Sequence, residues 1–155
     1  MRVIAWIAIA LIIVAAGFIV LLIATSDVVT SRYATLAEAR SANLFARGWL
    51  PDILPSSATE IRTSNDLNVS TSEGEFRFAP GDYEQLSSHL LPYADVDNPS
   101  APFAGQVSRR KRGGFEIGAY SDEGGTWVFL CRPSEGFCEY ASWLRRDSSE
   151  LAPTG

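Results

Sequence analysis

The sequence predicts an α+β protein built as an N-terminal transmembrane helix and helical stalk, followed by a small antiparallel meander with one packed helix. Three observations carry this. Residues 3–24 form an apolar run of 22 residues with no charge, no Pro and one Gly, as long as a helix needs to cross roughly 30 Å of hydrocarbon. From Asp27 to Arg47 apolar residues recur at helical spacing. Beyond Phe76, alternating and Gly-punctuated segments read as strands.

The apolar run is expected to be an uncleaved anchor. A cleaved signal peptide carries a hydrophobic region of about 7–15 residues ending at a small-residue site, whereas this run is longer and leads into Thr25-Ser26-Asp27. Positive charges tie across it: Arg2 and the α-amino group on one side, Arg32 and Arg40 on the other. The two-residue N-terminal tail and the hairpin-like spacing of Cys131 and Cys138 favour a cytoplasmic N-terminus and an exported C-terminal domain.

The expected division is 1–24 anchor, 25–48 helical stalk, 49–146 α+β head and 147–155 disordered tail. In the stalk, Tyr33, Leu36, Ala37, Leu44 and Phe45 share one helical face, and Gly48 and Pro51 end the helix. Packing of this helix on the head is an equal reading. The part beyond the anchor, residues 25–155, keeps 12 of the 13 basic residues against 18 acidic ones, a formal −6, which argues against phosphate-backbone binding and so against a nucleic-acid partner.

Residues 48–61 read Gly-Trp-Leu-Pro-Asp-Ile-Leu-Pro-Ser-Ser-Ala-Thr-Glu-Ile, followed by Asp66-Leu67 and Phe76-Arg77-Phe78. This pattern resembles the head region of uncharacterised bacterial membrane-anchored proteins and lipoproteins of the YbbD type, over residues 48–92. The resemblance implies an envelope location and no established chemistry. Read physically, Trp49, Leu50, Ile53 and Leu54 form an apolar clamp fixed by two prolines. They either cover an edge of the core or offer a groove to a partner or to the membrane interface.

Phe76 and Phe78 alternate with Glu75 and Arg77, as in a half-buried strand. Asp82 and Gln85 form a variant capping box for a helix carrying Tyr83, Leu86 and Leu90, ended by Pro92. Strands are then expected around 105–108, 115–120, 126–131 and 137–142. The third of these is apolar on both faces and hence central. A four-residue loop at 133–136 would place Cys131 opposite Cys138, within disulfide range; two buried thiols are the alternative.

Candidate chemistry is sparse. His89 is the single histidine, and Ser87 and Ser88 stand too close in sequence to face it on a helix. Asp95-Val96-Asp97-Asn98 lacks the Gly and Glu of a calcium loop, with Ser100 and Gln106 in their places. No catalytic residue, metal or cofactor is expected. The run Arg109-Arg110-Lys111-Arg112 reads as a hairpin tip, either merely solvated or touching anionic lipid headgroups or an acidic envelope partner. The expectation is a single-pass anchored envelope protein whose head is a binding or assembly module through Trp49, Leu50 and residues 109–112; a small carboxylate-dependent hydrolase is the alternative.

Overall fold

A computed structural model describes residues 28–95 and 101–144. The expected anchor and tail lie outside them. Among the described residues no helix is long and apolar enough to cross a membrane. The described residues form one antiparallel sheet of seven strands with few, short helices. The strands are β1 (Val28–Thr35), β2 (Thr59–Asp66), β3 (Thr71–Arg77), β4 (Leu91–Pro92), β5 (Glu116–Ser121), β6 (Gly125–Arg132) and β7 (Phe137–Leu144). They lie in the order β1-β2-β3-β7-β6-β5-β4.

The stalk helix is corrected. Residues 28–35 are the edge strand β1, paired along its length with β2 from Val28↔Asp66 to Thr35↔Thr59. The helix that follows, α1 (Leu36–Ser41), has six residues. Two local features produce this break. Val28, Val29 and Thr30 are β-branched and favour an extended backbone. Thr35 then starts the helix: its Oγ1 accepts from the Glu38 N–H at 3.2 Å, and the Glu38 carboxylate accepts from the Ala34 N–H at 2.7 Å. This is a capping arrangement of the Ser/Thr-x-x-Glu kind. Beyond α1, turns lead to Gly48 at φ +70°.

One sheet face carries the main core. Ile61, Phe76, Phe129, Trp127, Tyr140 and the Cys131–Cys138 pair are packed there under Leu44, Leu50, Ile53, Leu54 and Leu86. Leu86 comes from α2 (Tyr83–Ser87), shorter than the sequence suggested. Asp82 makes no side-chain cap there; Gln85 instead accepts from the Ser56 N–H at 2.9 Å, tying α2 to the Pro-bounded loop. Gly74 leaves room for the Tyr140 ring, whose nearest carbon would lie 2.7 Å from a Cβ at that position.

Among the described residues, the opposite face is covered on one half only. Val128 and Leu130, flanked by Ile117, Ala119 and Trp143, pack with Val107 and Tyr93. Val107 belongs to α3 (Ala104–Arg112), a helix where a strand over 105–108 was expected. Its single buried residue gives no two-residue alternation, and Gly113 closes it. The basic run is therefore the last turn of a helix, where cations offset the carbonyl end of the dipole, and not a hairpin tip.

The β6–β7 hairpin matches the sequence reading. Pro133–Glu135 form a 3-10 turn and Gly136 takes φ +59°. Arg132 pairs with Phe137 and Cys131 with Cys138. The two cysteines form a disulfide with Cα atoms 4.1 Å apart. β6 lies between β5 and β7 and is buried from Gly125 to Cys131 except at Thr126.

Candidate functional site

The uncovered half of the second sheet face, walled by α3, is the most chemically equipped concavity among the described residues. Cross-strand register builds it. Arg32 stands opposite Arg62, Arg62 opposite Glu75 and Glu75 opposite Glu139. Antiparallel partners project to the same side, so these four form a charge row across β1, β2, β3 and β7. One strand position along, Ser64 and Glu73 pair on that side too. Arg62, Ser64, Glu73, Glu75 and Glu139, with Gln106 and Arg110 from α3, line a groove of about 290 Å³.

Like charges directly opposite each other repel, and each carboxylate of the row is matched by a guanidinium. Arg62 holds Glu75 at 2.9 Å. Glu139 is 9% exposed, and Arg110 reaches it in a fork: Nε donates to Oε2 at 2.7 Å and Nη2 donates to Oε1. A desolvated carboxylate needs such charge-assisted bonds. Arg110 is itself steadied by the Phe115 ring, 5.0 Å from its guanidinium, with Arg132 at 4.5 Å from the same ring. Gln106 and Arg110 are four residues apart and so share a helix face. Arg109, Lys111 and Arg112 are exposed.

The other predicted site residues are dispersed. Leu50 is fully buried in the main core and cannot meet a partner, which corrects that expectation. Trp49 is half-buried, with the Arg47 guanidinium 5.0 Å from its ring centroid. It borders a second, smaller hollow with Asn65, Asp66, Leu67 and Ser72. His89 is exposed. Among the described residues no three His, Cys, Asp or Glu side chains gather to hold a metal ion.

Burial, then the nearby Asp95 charge, raise the pKa of Tyr93, and two further tyrosines are perturbed. The Tyr83 hydroxyl donates to Glu116 at 3.1 Å; burial, then the adjacent negative charge, push its pKa up to about 12. Burial likewise raises that of Tyr140, whose hydroxyl lies 3.4 Å from Ser72 Oγ. Both changes disfavour the phenolate.

Sequence reasoning missed Glu139 and the groove. Glu139 interrupts the apolar residues of β7, and a charged residue in a strand next to a central one is a signal that it has a buried partner.

Residues 27–77 match the YbbD head domain. The matched stretch spans β1, α1, β2 and β3, about a third of the chain, and supplies Thr30, Arg62, Glu73 and Glu75 to the groove. It overlaps the resembling region noted in the sequence over 48–77. Arg110, Glu139 and the disulfide lie beyond it. No curated protein and no solved structure matches the chain.

Proposed function

We propose that the chain is a single-pass, membrane-anchored envelope protein whose exported head is a binding or assembly module. The match to the YbbD head domain supports an envelope-associated head, and the apolar run of residues 3–24 supports the anchor. The observation that carries the binding reading is the charge row on an uncovered half sheet, with Arg62 and Arg110 committed to Glu75 and Glu139. Carboxylates already engaged by guanidinium groups are fixed in place with their oxygens occupied, which suits recognition better than proton transfer. That favours binding over the hydrolase alternative. The ligand class it fits is a peptide segment carrying both signs of charge, from an envelope protein.

The basic turn of α3 bears on the choice between a protein and lipid headgroups. Arg132, at the end of β6, donates to the Gly113 carbonyl at 3.3 Å, so the C-terminus of α3 stands at the Arg132–Phe137 end of the sheet. β1 begins at the other end, beside Asp66. An acidic protein partner is therefore the better occupant for Arg109 and Arg112. A photocrosslinking residue at Ser64 tests the groove in intact membranes. One discrete adduct, lost in Arg62→Glu and kept in Arg47→Glu, is expected. Crosslinking no greater than from Ser134 would contradict it.

A further inference from the structure

The β2–β3 hairpin tip exposes two large apolar side chains, Leu67 at 54% and Val69 at 52%. Turns ordinarily place polar residues in water. Here the polar residue works inward: the Asp66 carboxylate accepts from the backbone N–H of Asn68 at 3.0 Å and of Val69 at 3.4 Å. Ser70 completes the turn at φ +54°. The backbone of the tip is thus fixed by its own side chain, and Leu67 and Val69 are left projecting. Val28 and Val29, 44% and 37% exposed, extend the patch, because Val28 pairs with Asp66.

What covers this patch is set by the chain that precedes it. The 22-residue apolar run ends at Ala24, and β1 begins at Val28. Four residue steps reach at most about 14 Å. With residues 3–24 in a bilayer, the start of β1 and the adjoining tip cannot leave the headgroup layer by more than that distance. Trp49, a residue type favoured at membrane interfaces, borders the hollow that also includes Leu67.

We infer that Val28, Val29, Leu67 and Val69 are a seating surface that dips into the interfacial layer of the membrane holding the anchor. The inference rests on the anchored reading above and adds a fixed orientation of the head. β1 and β2 then rise from the bilayer, and the β6–β7 turn with its disulfide lies at the distal end. Apolar insertion also separates this contact from headgroup electrostatics: it survives salt, which screens charge and not burial.

Spin labels on Leu67→Cys, Val69→Cys and, as the distal control, Ser134→Cys test it in the full chain reconstituted into phosphatidylcholine vesicles. The native cysteines are joined to each other, so the introduced thiol is labelled alone. The expected result is severalfold lower collision with a water-soluble nickel chelate at 67 and 69 than at 134, unchanged between low and high salt. Chain that floats with the vesicles while all three labels collide equally would overturn the seating surface and leave the anchor intact. Chain that does not float would overturn both. A difference that disappears in high salt would overturn apolar seating in favour of electrostatic contact.

Discussion

Removing the Arg110 guanidinium would strand the Glu139 carboxylate in a site that is 9% exposed, whereas Arg109, one position earlier, is exposed. Arg110→Ala is therefore expected to destabilise the protein by about 2 kcal/mol, and Arg109→Ala by less than about 0.5. Chemical denaturation of the purified chain compares them, and equal effects would show that the fork contributes little. Gly136 makes a second residue-scale case. It holds φ +59°, and a Cβ there would meet the Phe78 carbonyl oxygen at 2.1 Å, the residue whose N–H donates to the Gly136 carbonyl. Gly136→Ala should cost about 2 kcal/mol or more, from left-handed strain and displacement of that pairing; a melting temperature equal to wild type would refute it. Tyr83 predicts a pH dependence. A phenol whose pKa rises on folding contributes stability that is complete below its unfolded value near 10 and is lost as pH climbs through its folded value, about 12. Melting temperature should fall from pH 9 to 11, and fall less in Tyr83→Phe; an identical slope would exclude Tyr83.

At the scale of elements, the β6–β7 hairpin was legible because its turn chemistry is local: Pro133 and Gly136 set the loop length, and the loop length sets the Cys131↔Cys138 register. The disulfide closes a short loop, so reduction should lower stability by about 2 kcal/mol, measured by denaturation with and without reductant. Two titratable thiols in the unreduced native protein would contradict the bond. Residues 28–35 were misread for a physical reason. Tyr33, Leu36, Ala37, Leu44 and Phe45 fit a helical period, but the sheet edge offered by β2 satisfies the backbone of residues 28–35 as strand, and tertiary pairing overrides weak local preference. The Thr35-x-x-Glu38 signal marked the true helix start in the sequence. α3 was equally marked by its closing Gly113, but with Val107 as its only buried residue it has too short an apolar stripe for periodicity to register.

For the whole molecule, composition and pattern made the α+β class and the central, doubly buried β6 readable, because burial on two faces leaves a continuous apolar run. The groove was not readable. Its members come from β1, β2, β3, β7 and α3, and the pairing β3–β7 that brings Glu75 beside Glu139 joins residues 64 positions apart. No local signal specifies such a non-consecutive neighbour. The proposed anchor lies outside the described residues, and the proposed function depends on it: an open, charged half sheet selects envelope partners only if the head is exported. The most direct test of the account is a reporter active only outside the cytoplasm, fused after Gly155 in the full chain. It should be active, in step with a closed Cys131–Cys138 bond; an inactive fusion, with a cytosol-only reporter active at the same position, would contradict the exported, anchored head.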